Sequence, residues 1–218
     1  MRSLSVALAA FLFAGVTAGA EETQPYVGPS GPTVSPEVVE PAVAAPGTVP
    51  AEAAPEESRA VRIDRLIETL RATKDERAGR DAERALLELW LASGSDTVDL
   101  LMSWSLKAME NKNYALALDF LDRITIMKPD YAEGWNKRAT VHFLLDDYGR
   151  SLADIARVLE LEPRHFGALS GLALVFRGLE QNQRAIAAYR QALAIDPYLD
   201  DVRNALDELE AKTTGSEI

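Results

Sequence analysis

The fold class predicted by this sequence is an all-α, right-handed helical solenoid, and three observations carry that prediction. Pro129, Pro163 and Pro197 recur at an interval of 34 residues, a period at which helix–turn–helix units stack. Within the segments so marked, small residues return at two fixed places and bulky ones at four. Apolar residues at helical spacing continue on both sides of the three segments. A stacked array presents an extended concave surface, so the period bears on function as well as on fold.

The three units run Val98–Tyr131, Ala132–His165 and Phe166–Leu199. Position 8 reads Ser105, Ala139 and Ala173, and position 20 reads Ala117, Ser151 and Ala185. Small side chains at both places let two helices approach closely. Four further sites are bulky at ten of their twelve places: Leu101, Trp135 and Leu169; Ala108, His142 and Phe176; Leu121, Ile155 and Tyr189; Ile124, Val158 and Ala192. Small opposite large is what interlocked packing requires.

These residues resemble the tetratricopeptide repeat (TPR) family over residues 98–199, most closely in the third unit, FGALSGLALVFRGLEQNQRAIAAYRQALAIDPY. There are two departures. Position 7, usually Leu in the family, is Trp104, Arg138 and Leu172, so Arg138 sets a charge where core is expected. The family's turn glycine is replaced by Lys112, Asp146 and Glu180.

The flanks divide by composition. Residues 1–20 read as an export signal: Arg2, an apolar Leu4–Val16 and a small-x-small Ala18-Gly19-Ala20. That apolar run is shorter than the roughly 20 residues of a membrane-spanning helix, so no span is expected after cleavage. Residues 21–57 hold eight of the eleven prolines and read as a disordered Pro/Ala/Glu-rich tether. Residues 58–97 form a helical pair, a degenerate repeat or N-terminal cap, with Val61, Ile63, Leu66, Ile67 and Leu70 on one helix and Ala82, Ala85, Leu86, Leu89 and Trp90 on the next. Trp90 and Trp104 are expected to pack this pair against the first unit. Asp200–Lys212 is a capping helix, and residues 213–218 a fraying tail. An exported chain without cysteine fits the periplasm of a Gram-negative bacterium, with secretion as the alternative.

Charge and motif searches restrict the function. The net charge of −11 collects at the ends: the tether has seven acids and no base, whereas the three units nearly balance, thirteen acids against twelve bases. No basic face exists for nucleic acid. His142 is expected in the core and His165 on an inter-unit loop, so neither a metal pair nor a catalytic dyad is formed. Gly167 and Gly171 lie inside a helix and not in a phosphate loop. No cofactor, metal or catalytic residue is assigned, and the expectation is of a protein that is not an enzyme.

The family resemblance implies that the first helix of each unit lines a concave groove. Carried across position by position, it points to Met102, Leu106 and Met109 in the first unit, Asn136, Thr140 and Phe143 in the second, and Ser170, Leu174 and Arg177 in the third. An apolar strip with flexible methionines and a few hydrogen-bonding groups suits a protein or peptide partner. The favoured function is a periplasmic adaptor of cell-envelope assembly or maintenance; the alternative is a regulatory subunit of a wall or lipid enzyme. The oligomeric state is left open.

Overall fold

The computed structural model describes residues 57–215; the expected signal, most of the tether and the last three residues lie outside them. Among the described residues there are nine α-helices: α1 Arg59–Ala72, α2 Glu76–Leu91, α3 Asp96–Glu110, α4 Tyr114–Met127, α5 Ala132–Leu144, α6 Tyr148–Leu161, α7 Phe166–Gly178, α8 Asn182–Ile195 and α9 Asp200–Gly215. Helices α3 to α8 form three hairpins, each packed on the next, and α9 closes the stack against α8. The fold is an all-α repeat solenoid.

Local chemistry explains where each helix stops. The first helix of every hairpin ends in the same way, with Lys112, Asp146 and Glu180 at φ of 56°, 57° and 59°. Two backbone bonds close each turn: Asn113 N–H to Ala108 O, Asp147 to His142 and Gln181 to Phe176 at 2.8–2.9 Å, and Lys112 to Met109, Asp146 to Phe143 and Glu180 to Arg177 at 2.9–3.0 Å. That pair of bonds satisfies two carbonyls the helix end would otherwise leave open. The next residue starts the second helix, Asn113 and Asp147 each accepting a backbone N–H with their side chains. The second helices end before the periodic prolines, because a residue preceding proline is pushed out of the helical region; Lys128, Glu162 and Asp196 have φ of −139°, −140° and −125°.

The small and bulky positions do what their spacing predicted. Ser105, Ala117, Ala139, Ser151, Ala173 and Ala185 are all buried. In the second hairpin the contact is close enough for Ser151 Oγ to donate to Ala139 O at 2.9 Å. Arg138 keeps its charge inside the packing because its guanidinium donates twice to buried Asp154, at 2.7 and 2.8 Å, and to Asp122 and Thr125 on α4. The pair is desolvated but fully bonded, the condition under which a buried charge is tolerated.

The N-terminal pair departs from expectation. The close packing that joins α4 to α5, α6 to α7 and α8 to α9 is missing between α2 and α3 among the described residues; α1 packs on α8 and α2 on α5. Ile63, Ile67, Leu70, Ala82, Leu86 and Trp90 share one core with Phe166, Leu169, Phe176 and Tyr189 of the third unit. The pair therefore folds back across the concave side and does not extend the stack as a preceding unit. Trp90 and Trp104 do not join the pair to the first unit. Trp90 stacks on His165, centroids 4.3 Å apart, and Trp104 stands half exposed beside Phe120.

Candidate functional site

A cleft of about 720 Å3 separates α2 from the concave faces of α5 and α7. One wall is the face of α2 carrying Arg80, Glu83, Arg84, Leu87 and Leu91; the other is built by Leu106, Asn136, Thr140, Phe143, Ser170 and Leu174. The α5 and α7 residues sit one helical turn apart, so on each helix polar and apolar groups follow one another along a single stripe facing the cleft. Thr140 and Ser170 turn their hydroxyls to the carbonyls of Asn136 and Phe166, four residues back, at 2.9 and 2.8 Å. Apolar atoms are thereby left facing the space between the walls.

The α1–α2 pair is held by contacts along its length. Arg80 Nη2 donates to Asp200 Oδ2 at 2.7 Å, and Arg164 Nη1 donates to Asp64 Oδ1, also at 2.7 Å. Tyr198 Oη donates to Thr73 O at 2.8 Å, and Tyr131 Oη donates to Leu91 O. Gly79 permits the approach: a Cβ there would lie 2.2 Å from the Tyr198 ring. Burial raises the Tyr131 hydroxyl above the ordinary phenol range, so it remains a donor.

A buried acid anchors the cleft floor. Glu133 Oε2 lies 2.9 Å from His165 Nε2 and accepts from Asn136 Nδ2 at 3.0 Å, while Lys137 Nζ reaches Oε1 at 2.8 Å. Burial alone would raise this carboxyl, but Lys137 and then His165 outweigh it and hold it below the usual carboxylate range. His165 Nδ1 accepts the backbone N–H of Ala168 at 3.1 Å, so the ring proton is on Nε2 and donates to Glu133. Both ring nitrogens are committed to the fold, and Trp90 covers one face. The histidine expected on a loop surface is in fact a buried cap for α7, because Trp90 lies over it. Opposite, burial pushes Glu83 up to about 7, helped by Asp196 and, more weakly, Asp200.

Six of the nine residues expected to line the groove come together in this cleft: Leu106, Asn136, Thr140, Phe143, Ser170 and Leu174. Met102 and Met109 do not; both are buried in the core of the first hairpin beside Leu101, Leu121 and Val141, because the α3 stripe turns inward there. Arg177 is also outside the cleft, with Nη1 3.5 Å from Tyr189 Oη. Sequence reasoning missed the α2 wall. Its signal was the apolar excess at the end of α2, where Leu86, Leu87, Leu89, Trp90 and Leu91 exceed what one buried stripe needs.

No helix among the described residues is long and apolar enough to cross a membrane. A tetratricopeptide repeat model matches residues 167–198. A TPR repeat-containing protein of Rhizobium etli is 42% identical over 156 residues, covering 71% of this chain and 76% of its own length. Small glutamine-rich tetratricopeptide repeat-containing protein 2 of Saccharomyces cerevisiae is 28% identical over 90 residues, 41% of this chain and 26% of that one. Among solved structures, the Sgt2 TPR domain from Aspergillus fumigatus superposes with a TM-score of 0.54 at 19% identity, covering 56% of this chain and 83% of that one. The first TPR of Spaghetti (RPAP3), bound to the HSP90 peptide SRMEEVD, does so at 0.52 and 18%, covering 54% and 93%. The unit register, the repeated hairpin packing and the Rhizobium relative agree: this chain belongs to the tetratricopeptide repeat family.

Proposed function

We propose that the protein is a non-catalytic adaptor of the bacterial periplasm that holds a peptide or helical segment of an envelope protein in the cleft beneath α2. The fold is that of protein-interaction scaffolds, and a chain of the same fold, the first TPR of RPAP3, holds a peptide. The observation carrying the reading is the cleft itself, with Leu87, Leu91, Leu106, Phe143 and Leu174 around one space. Concave, mostly apolar sites with a few convergent polar groups are where such partners bind. Its floor charges are already satisfied, so the apolar residues are left to make the contact. The periplasmic location rests on residues 1–20, and a role in envelope assembly or maintenance follows from that location.

A photo-crosslinking residue at Phe143, introduced in the native cell, tests this reading. The expected result is a discrete adduct with an envelope protein that disappears when Leu106→Asp is added. A crosslinker at Ile126, exposed at 79% on α4, serves as the control. Identical adducts from both positions would contradict the assignment.

A further inference from the structure

Each first helix in the stack has one face that packs on the unit before it. In the second unit this face is Gly134, Arg138 and Val141. Gly134 lies against Ile124, Arg138 bonds Asp122 and Thr125, and Val141 enters the core of the first hairpin. In the third unit the same places are Ala168, Leu172 and Val175, packed with Ile155 and Val158 of α6. The equivalent residues of the first unit are Leu100, Trp104 and Lys107. Among the described residues no second helix packs closely on them, since α2 is held over the cleft. Leu100 is 48% exposed and Trp104 49%, with the Phe120 ring tilted against Trp104 at 5.6 Å. The front edge of the solenoid is thus an inter-unit packing face left open.

We infer that this edge pairs with the same edge of a second copy of the chain, α3 lying antiparallel on α3 about a twofold axis. Continuity with the stack is the first argument, because the same register that buries a helix twice elsewhere calls for a helix here. Charge is the second. Helix α3 is acidic at its start, with Asp96 and Asp99, and carries Lys107 near its end, whose ammonium already bonds Glu110 of the same helix at 2.9 Å and has donors left to share with an incoming Asp96. Antiparallel pairing sets Leu100 against Trp104 of the other copy and Asp96 against Lys107, in both directions, the self-complementarity an isologous contact demands. Head-to-tail stacking is disfavoured by the far end: exposed positions of α9 include Asp200, Asp201, Asp207 and Glu208, a poor match for Leu100 and Trp104.

Sedimentation velocity on the purified protein, from about 1 to 200 μM, reads the association directly. The wild type is expected to form a dimer across this range, and Trp104→Lys or Leu100→Glu to lower the association constant at least about tenfold. Both sites are half exposed, so helicity by circular dichroism should be retained. Asp96→Lys and Lys107→Asp should each weaken the dimer, and the two together should restore it. A wild type that remains monomeric overturns the proposal, as does a dimer indifferent to Trp104→Lys and Leu100→Glu. Charge variants without effect overturn the antiparallel register.

Discussion

The Trp90 indole lies flat on the His165 imidazole, ring centroids 4.3 Å apart and planes 12° from parallel. This contact joins the end of α2 to the turn that starts α7, and so converts the N-terminal pair into a wall over the concave face. Phe166 adds a tilted contact to the same indole at 5.1 Å. Removing a large buried aromatic costs about 3–5 kcal/mol. Trp90→Ala should therefore release α1 and α2 while the stack persists. Hydrogen exchange should show protection lost across residues 59–91 and kept in α5 to α8.

Gly79→Ala tests the same docking from the other end of α2. In a helix interior this change normally stabilises by about 1 kcal/mol. Here the new methyl group would overlap the Tyr198 ring, whose hydroxyl is tied to Thr73 O. The variant should be less stable than the wild type, read as a lower thermal midpoint, with the loss confined to the α1–α2 transition.

Lys112, Asp146 and Glu180 each adopt a left-handed backbone that a β-carbon makes costly. Glycine removes that strain but adds freedom to the unfolded chain, an offset of about 0.4–1 kcal/mol. Each residue replaced singly by glycine should gain about 0.5–1 kcal/mol in denaturant unfolding. The triple variant should gain close to the sum, because each left-handed residue belongs to a separate hairpin, 34 residues from the next.

Two acids of the cleft set opposite pH limbs. Glu133 has a folded pKa lowered by Lys137 and His165, so its contribution is present above the unfolded carboxylate value and lost as pH falls through the folded one. Glu83 is raised to about 7; its contribution is present below the unfolded value and lost as pH rises through about 7. Docking of α2 should weaken between pH 5 and 8 in the wild type. In Glu83→Gln that slope should disappear, with a gain of about 1–3 kcal/mol at pH 8. Thermal unfolding of both proteins across this range measures it.

Asp154→Ala leaves the Arg138 guanidinium with Asp122, which is exposed, and Thr125. Losing the buried partner should cost about 2–3 kcal/mol, below the usual cost because two contacts survive. Combining it with Arg138→Leu, the residue type the third unit holds at that place as Leu172, should recover most of the loss.

The repeat stack was legible in the sequence because its signal is local and threefold. Small Ser105, Ala139 and Ala173 against bulky Leu121, Ile155 and Tyr189 leave little choice of packing. Six cleft residues followed from the family resemblance once that register had numbered the positions. The rest was hidden because amphipathic stripes do not name their partners: Ala82, Leu86 and Trp90 could face α3 or the third unit equally well. His165 read as surface since its cover, Trp90, comes from a distant part of the chain. Arg138 read as a misplaced charge, although Asp122 and Asp154 flank it at the same separation of 16 residues. Met102 and Met109 read as groove because they share a stripe of α3 with Leu106, and nothing local shows that both reach into the core of the first hairpin beside Leu121 and Val141.

The placement of the N-terminal pair over the concave face is tested most directly by nuclear Overhauser effects from the Trp90 indole protons in the intact protein. Cross-peaks to the ring protons of His165 and Phe166 are expected. Cross-peaks instead to the side chains of Leu100 and Trp104 on α3 would place α2 at the front of the stack and contradict the account.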